Sequence, residues 1–232
     1  MDIISDLGII IVAGGSSSRF GAGNKLLQDL GGKPVFIHSL ENFLPLVLPG
    51  KLVLVVPLHE KELFQKAVDS HLPSSGVVLV PGGSCRTESV KNGLKALPET
   101  TGIVAIHDAA RPLAGAHLLK ELVETARNGN CGAIAAEKMI DSVCRTGEDL
   151  EITENVPREN LWRIQTPQVF PYPAICEAYR KLGNISMTDD STAARACGIP
   201  VKTVDNPEPN LKLTTQKDLI FLKFLLSKSG KC

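Results

Sequence analysis

The first part of the chain is punctuated by short, almost unbroken aliphatic runs: Leu7–Ala13, Lys51–Pro57, Gly76–Pro81, Ile103–His107 and Cys131–Ala136. Each is rich in Val, Ile, Leu and Ala without polar alternation, the pattern of a strand buried on both faces. Between them, about Val35–Leu44, Glu60–His71, Arg86–Leu97 and Ala116–Asn128, apolar residues fall at helical spacing and predict helices. Alternating strand and helix predicts an α/β fold with a mainly parallel sheet, helices on its faces and right-handed crossovers. Ligands of such sheets sit at the C-terminal ends of the strands.

The rhythm breaks after Ala136. Residues Ile140–Val156 are polar, with Thr146-Gly147-Glu148-Asp149 as a turn between two short extended pieces, which predicts a projecting β-arm at about 138–160. Apolar patterning resumes at Leu161. Helices are predicted near Ala174–Leu182 and Ser191–Ala196, then a strand at Val201–Val204. In a last helix, Gln216–Leu226, the residues Leu219, Ile220, Leu222, Phe224, Leu225 and Leu226 read as core. The length of 232 residues suits a single domain carrying that arm.

Composition narrows the function classes. Hydrophobic residues make up 43% and charged residues 22%, which is ordinary for a globular chain. Lys plus Arg and Asp plus Glu are 25 each, so no basic field points to nucleic acid or a membrane surface. No apolar stretch reaches the ~18 residues of a membrane span. The acidic start Met1-Asp2-Ile3-Ile4 runs straight into the first strand, so no signal or transit peptide is expected. The six cysteines form no CxxC pair and no metal-ligand spacing with His. They read as reduced thiols, mostly packing residues, in a cytoplasmic protein.

Candidate chemistry begins after the first strand, at Val12-Ala13-Gly14-Gly15-Ser16-Ser17-Ser18-Arg19-Phe20-Gly21-Ala22-Gly23-Asn24-Lys25. Small residues let backbone N–H groups approach phosphate oxygens, and Arg19 and Lys25 add two cations. The segment is neither a Walker A loop nor GxGxxG. It reads either as a phosphate-binding loop or as a flexible loop with solvated cations; its place at a strand end favours the first. Asp108 reads either as a site carboxylate or as a cap of the next turn. His107 reads as structural, Arg111 as fixing its loop by pairing with a carboxylate, and Trp162 as core or interface.

The first loop resembles that of the sugar-phosphate nucleotidyltransferases. Further motifs narrow the resemblance: Gly82-Gly83-Ser84-Cys85-Arg86-Thr87-Glu88-Ser89-Val90, His107-Asp108-Ala109-Ala110-Arg111-Pro112, Gln165-Thr166-Pro167-Gln168, Thr188-Asp189-Asp190 and Asn210-Leu211-Lys212-Leu213-Thr214. In this order they are similar to the 2-C-methyl-D-erythritol 4-phosphate cytidylyltransferases of the non-mevalonate isoprenoid pathway, over about Leu7 to Leu226. The resemblance implies a three-layer Rossmann-like nucleotidyltransferase sandwich with a mixed, mainly parallel sheet. It implies transfer of CMP from CTP to 2-C-methyl-D-erythritol 4-phosphate, giving 4-CDP-2-C-methyl-D-erythritol and pyrophosphate. Ribitol-5-phosphate cytidylyltransferases, which tend to read HDSVRP at HDAARP, and a non-catalytic nucleotide-binding homologue are the alternatives.

By the same resemblance, Arg19 and Lys25 are catalytic, stabilising charge on the nucleotide phosphates. Ala13, Gly14, Gly15, Ser17, Gly83, Ser84, Ser89, Asp108 and Ala109 bind the nucleotide. Asp108, Ser142, Arg158, Thr166, Thr188 and Lys212 bind the acceptor, with Asp108 meeting its hydroxyls or a metal ion. The chain departs from the family wording at Ser17, Asn24, Leu26, Ser84, Cys85 and Ser142.

These residue types suit the chemistry. With a second pKa near ~6, a phosphate monoester is largely a dianion at neutral pH and already a nucleophile. It needs no Ser–His or Cys–His pair, and the sequence offers none. The barrier is electrostatic, and Arg19, Lys25, Arg158 and Lys212 are the cations to lower it. Mg2+, held mainly through the triphosphate, is the expected cofactor, without assigned protein ligands. The expected partners are CTP, a small polyol phosphate and a second copy of the chain. A polar arm this short cannot build its own core, and a two-fold partner is the commonest surface available.

Overall fold

The computed structural model describes residues 2–14, 20–21, 23–183, 187 and 189–228. Four expected site residues, Gly15, Ser17, Arg19 and Thr188, lie outside the described residues, as does Cys232. In chain order the elements are β1 (Leu7–Val12), β2 (Asp29–Leu30), β3 (Lys33–Pro34), α1 (Val35–Phe43), β4 (Leu52–Val56), α2 (Lys61–His71), β5 (Val78–Pro81), α3 (Arg86–Ala96) and β6 (Ile103–Asp108). There follow α4 (Ala116–Gly129), β7 (Gly132–Lys138), β8 (Val143–Thr146), β9 (Ile152–Val156), β10 (Trp162–Pro171), α5 (Tyr172–Lys181), α6 (Asp190–Ala196), β11 (Val201–Asp205) and α7 (Gln216–Lys228).

A seven-stranded sheet has the order β11-β7-β10-β6-β1-β4-β5. All neighbours are parallel except β10, which is antiparallel to both β6 and β7. β1 and β4 are buried along their whole length, as their unbroken aliphatic runs require. Alternate side chains of β1 feed two cores. Leu7, Ile9 and Ile11 meet Phe36, Leu40 and Phe43 of α1, Phe64 of α2, Leu119 and Leu122 of α4, and Leu222 of α7. Ile10 and Val12 meet Val90 and Leu94 of α3, Ile175 and Tyr179 of α5, and Ala193 of α6. The result is the expected three-layer sandwich. Gly93 lets α3 press onto β1, because a Cβ there would stand 2.6 Å from Ile10 Cγ2.

The inverted strand β10 is not legible as a strand in the sequence, since Arg163, Gln165, Thr166, Pro167 and Gln168 interrupt its apolar pattern. Its pairing with β7 shifts register between Ile164 and Gln168, and the Thr166–Pro167 peptide is cis. Running against its neighbours, β10 brings Gln165 and Thr166 beside the C-terminal ends of β6 and β7. The arm forms as a separate antiparallel pair, β8 with β9, in which Val143 faces Val156.

One expectation is corrected. The last helix is not all core: Leu219, Leu222 and Leu226 are buried, but Ile220, Phe221 and Phe224 are each more than half exposed. One helix cannot turn apolar residues at nearly every position towards the same layer. The described cysteines are free thiols and mostly packing residues, as expected: Cys131 is buried and Cys176 and Cys197 pack, partly buried, against a core, while Cys85 is partly exposed and Cys144 exposed. Among the described residues no helix is long and apolar enough to cross a membrane.

Candidate active site

β1 and β6 are neighbours, but β1 leads on to β4 on one side and β6 is flanked by β10 on the other. This is the point in a doubly wound sheet where a crevice opens at the strand ends. Val12 and Asp108 are register partners there, and the Ala109 N–H donates to the Val12 carbonyl at 3.0 Å. A cavity of about 110 Å³ lies over them, lined among others by Ala13, Gly14, Lys25, Arg86, Asp108 and Lys212. A larger one, about 490 Å³, contains Arg111, Glu137, Arg163 and Asn210 in its walls and shares Lys212 with the first. A cleft of about 360 Å³ between α3 and α5, lined by Leu94, Tyr172 and Cys176, contains none of these site residues.

The Asp108 carboxylate caps no helix. Oδ2 lies 2.6 Å from the Lys212 ammonium and Oδ1 3.6 Å from the Arg86 guanidinium. Burial pushes this carboxyl upward, but Arg86, Lys212 and Arg111 together outweigh it and hold it well below the usual range. Arg86 is held in turn by two parallel bonds to Asp190, at 3.0 and 2.7 Å. Asp190 is fully buried and also accepts from the Tyr179 hydroxyl. Arg86 and Asp190 stand inside quoted motifs, yet the sequence assigned neither a role. An arginine opening a helix at a strand end and a second acid in Thr188-Asp189-Asp190 were the only signals.

Sequence motifs beyond the first loop serve largely to hold loops together. His107 is fully buried, with Nε2 3.1 Å from the Arg111 carbonyl and Nδ1 3.1 Å from Thr166 Oγ1. A carbonyl only accepts, so Nε2 carries the proton and the Thr166 hydroxyl donates to Nδ1. The same hydroxyl accepts from the Asp108 N–H at 3.0 Å. Thr166 thus fixes the backbone under Asp108. Burial lowers the His107 pKa to about 4, so the ring is neutral. Gln165 Oε1 accepts from Asn206 at 3.0 Å and from Asn210 at 2.8 Å. Gln168 Oε1 accepts from the Ser191 N–H at 2.9 Å, beside Asp190. The carboxylate partner expected for Arg111 is not found among the described residues; it donates instead to the Asn210 carbonyl at 2.7 Å.

Of the residues expected at the nucleotide, Ala13 and Ala109 are buried. Lys25 opens a single 3-10 turn, Lys25–Leu27, capped by Asn24, whose side chain accepts from the Leu26 N–H. Asn24 is itself braced against Glu60 at 2.6 Å. At the start of α3, Ser84 donates to Glu88 through both N–H and hydroxyl, at 2.7 and 2.8 Å. The buried Ser89 hydroxyl accepts from the Gly83 N–H at 3.1 Å. Gly83 has no space for a side chain, because a Cβ would stand 2.2 Å from Glu88 Cβ.

The remaining expected residues stand apart. Ser142 and Arg158 are exposed at the arm, Arg158 bonding the Ile140 carbonyl, and neither lines the two charged cavities. Among the described residues no group of three or more His, Cys, Asp or Glu could hold a metal ion by itself.

Comparison with known proteins agrees with this fold. The family described as IspD, 2-C-methyl-D-erythritol 4-phosphate cytidylyltransferase, matches residues 7–228. A 2-C-methyl-D-erythritol 4-phosphate cytidylyltransferase of Dehalococcoides mccartyi is 37% identical over 223 residues, covering 96% of each chain. One from Alkaliphilus oremlandii is 35% identical over 231 residues, covering 97% of each. The crystal structure of a 4-diphosphocytidyl-2C-methyl-D-erythritol synthase from Anaerococcus prevotii superposes with a TM-score of 0.81 at 27% identity, covering 95% of this chain and 96% of that one. With a family match across nearly its whole length and relatives above 30% identity end to end, the chain belongs to the 2-C-methyl-D-erythritol 4-phosphate cytidylyltransferase family.

Proposed function

We propose that this protein transfers CMP from CTP to 2-C-methyl-D-erythritol 4-phosphate, giving 4-CDP-2-C-methyl-D-erythritol and pyrophosphate. The observation that carries this, beside family membership, is the position of Lys212. It borders both the strand-end cavity with Lys25 and Asp108 and the larger cavity with Arg111 and Arg163. A cation there can hold an acceptor phosphate against the α-phosphate of a nucleotide lying over Ala13 and Gly14. The acceptor oxygen attacks the α-phosphorus, the bond to the bridging oxygen breaks, and pyrophosphate leaves with the electron pair. No general base is required of the chain, because the acceptor is already a dianion. Lys25 and Arg19 neutralise the charge that gathers on the phosphates, and Asp108 takes the polyol hydroxyls.

Mg2+ fits this site as a nucleotide-borne ion. The described residues gather no carboxylate cluster that would hold an ion by itself, so Mg2+ would be carried mainly by the triphosphate oxygens and water. When bound, the ion neutralises triphosphate charge. Excess chelator should abolish turnover and added Mg2+ restore it. The Ala109-Ala110 pair in HDAARP favours the erythritol acceptor over ribitol 5-phosphate. A cytoplasmic location and a homodimer joined through the arms complete this reading. The test is pyrophosphate release from CTP, UTP and ATP against a panel of polyol phosphates. CTP with the erythritol phosphate should be clearly preferred. Equal turnover of all nucleotides, or preference for ribitol 5-phosphate, would refute the assignment.

A further inference from the structure

We propose that Arg86 is a positioning residue for the acceptor: anchored on buried Asp190, it keeps the Asp108 carboxylate aimed into the cavity when Lys212 leaves it for the acceptor phosphate. This rests on the functional reading above and adds a residue to it.

Asp108 has two cationic partners of different kinds, one on each oxygen. Lys212 holds Oδ2 at 2.6 Å from a side chain that is 44% exposed. A flexible, solvated ammonium readily exchanges one anion for another, and a phosphate dianion outbids a single carboxylate. Arg86 reaches Oδ1 at 3.6 Å with Nη2, the nitrogen that also holds Asp190 at 2.7 Å. Its other terminal nitrogen holds the second Asp190 oxygen at 3.0 Å. A guanidinium locked by two parallel bonds does not follow a substrate. Asp190 is fixed from behind by the Tyr179 hydroxyl, and the neighbouring Ser191 N–H is fixed by Gln168.

The consequence is a division of labour in the occupied site. Lys212 moves onto the phosphate and uncovers Oδ2, which then accepts from a polyol hydroxyl. Arg86 stays and prevents Asp108 from swinging away or taking a proton. Without Arg86 the empty site still holds Asp108 through Lys212, so the loss is felt when the acceptor binds. CTP contacts on Ala13, Gly14 and Lys25 do not pass through this pair.

The test uses two variants of the whole enzyme. Arg86→Met with Asp190→Leu removes the buried pair together, since deleting one partner alone leaves an uncompensated charge. Tyr179→Phe keeps both charges and removes only the hydroxyl that steadies Asp190. The paired variant should raise the acceptor KM roughly tenfold and Tyr179→Phe about threefold, with the CTP KM within about twofold. In the empty enzyme, carbon-13 NMR of the Asp108 carboxyl should show its titration moved upward in the paired variant, a change a purely structural role would not produce. Should the paired variant fail to fold, Tyr179→Phe decides. Unchanged acceptor KM in folded variants overturns the proposal, provided Lys212→Ala raises that KM. If Lys212→Ala leaves it unchanged, the acceptor site itself is misassigned and both readings fall.

Discussion

Asn210 donates its side-chain amide to Gln165 Oε1 at 2.8 Å and to the Thr166 carbonyl at 2.9 Å, with both side chains buried. These bonds join the loop that carries Lys212 to the inverted strand β10. Two further bonds tie the same loop to the segment after β6: the Leu213 N–H donates to the Ala110 carbonyl at 2.8 Å, and Arg111 to the Asn210 carbonyl. The position of Lys212 against Asp108 therefore depends on buried amides that touch neither.

Asn210→Ala should loosen this junction. Lost hydrogen bonds at a buried site cost about 1–3 kcal/mol, and Gln165 keeps Asn206 as a partner, so the protein should fold with reduced stability. The acceptor KM should rise more than the CTP KM, because the Lys212 loop moves and the Gly14 side does not. Urea unfolding and steady-state kinetics on both substrates check this. Equal loss for the two substrates would locate the role of Asn210 elsewhere.

Lys25→Ala should leave folding intact and lower kcat by roughly 10²–10³, the usual cost of removing one preorganised charge contact. Arg19→Ala should behave alike. Either variant with near-native turnover would remove that residue from the catalytic set.

Stability should fall on mild acidification. Burial holds His107 neutral until about pH 4, whereas the unfolded chain takes up the proton near 6.5. The unfolded state therefore binds more protons between these values. The contribution is complete above pH 6.5, is lost as pH falls towards 4, and amounts to about 3 kcal/mol in all. His38, also lowered by burial, acts in the same direction. Asp108, whose pKa is depressed, extends the loss below pH 3.8. Urea midpoints at pH 7.5 and 5.0 should differ accordingly, with a shallower dependence in His107→Gln. An equally steep profile in that variant would assign the effect to other groups.

The arms should complete each other's sites in a homodimer. Ile140, Leu150 and Ile152 are exposed by 72, 79 and 65% on an arm that has no core of its own, and such residues call for a covering surface. Mixing Arg158→Ala chains with Lys25→Ala chains should then regenerate one intact site per heterodimer, with activity well above either parent. No recovery after verified subunit exchange would place both residues in the same chain's site.

Most of the parallel sheet was legible in the sequence because doubly buried strands need unbroken aliphatic runs, and β1, β4 and β6 supply them. The β10 strand was hidden for the opposite reason. Its Gln165, Thr166 and Gln168 are polar because each satisfies a loop or a neighbouring backbone group, so no hydrophobic period marks them. α7 carries more apolar residues than the fold covers, and periodicity alone does not show which of them stay exposed. Lys25, Asp108 and Lys212 were named by motif and line one cavity; Arg19 lies outside the described residues.

What the sequence determined by itself was local: which segments are buried, where the chain turns, and which charged residues follow the strand ends. Those follow from side-chain spacing and backbone preference within a few neighbouring residues. Only the tertiary structure decided the pairings. Arg86 and Asp190 are 104 positions apart, as are Lys212 and Asp108, and no pattern in the chain links them. They meet because the sheet order sets β6 beside β1 and the inverted β10 carries the polar hub to the same edge. Once there, a buried carboxylate has to find its cation, because leaving it unpaired costs more than the fold can spare.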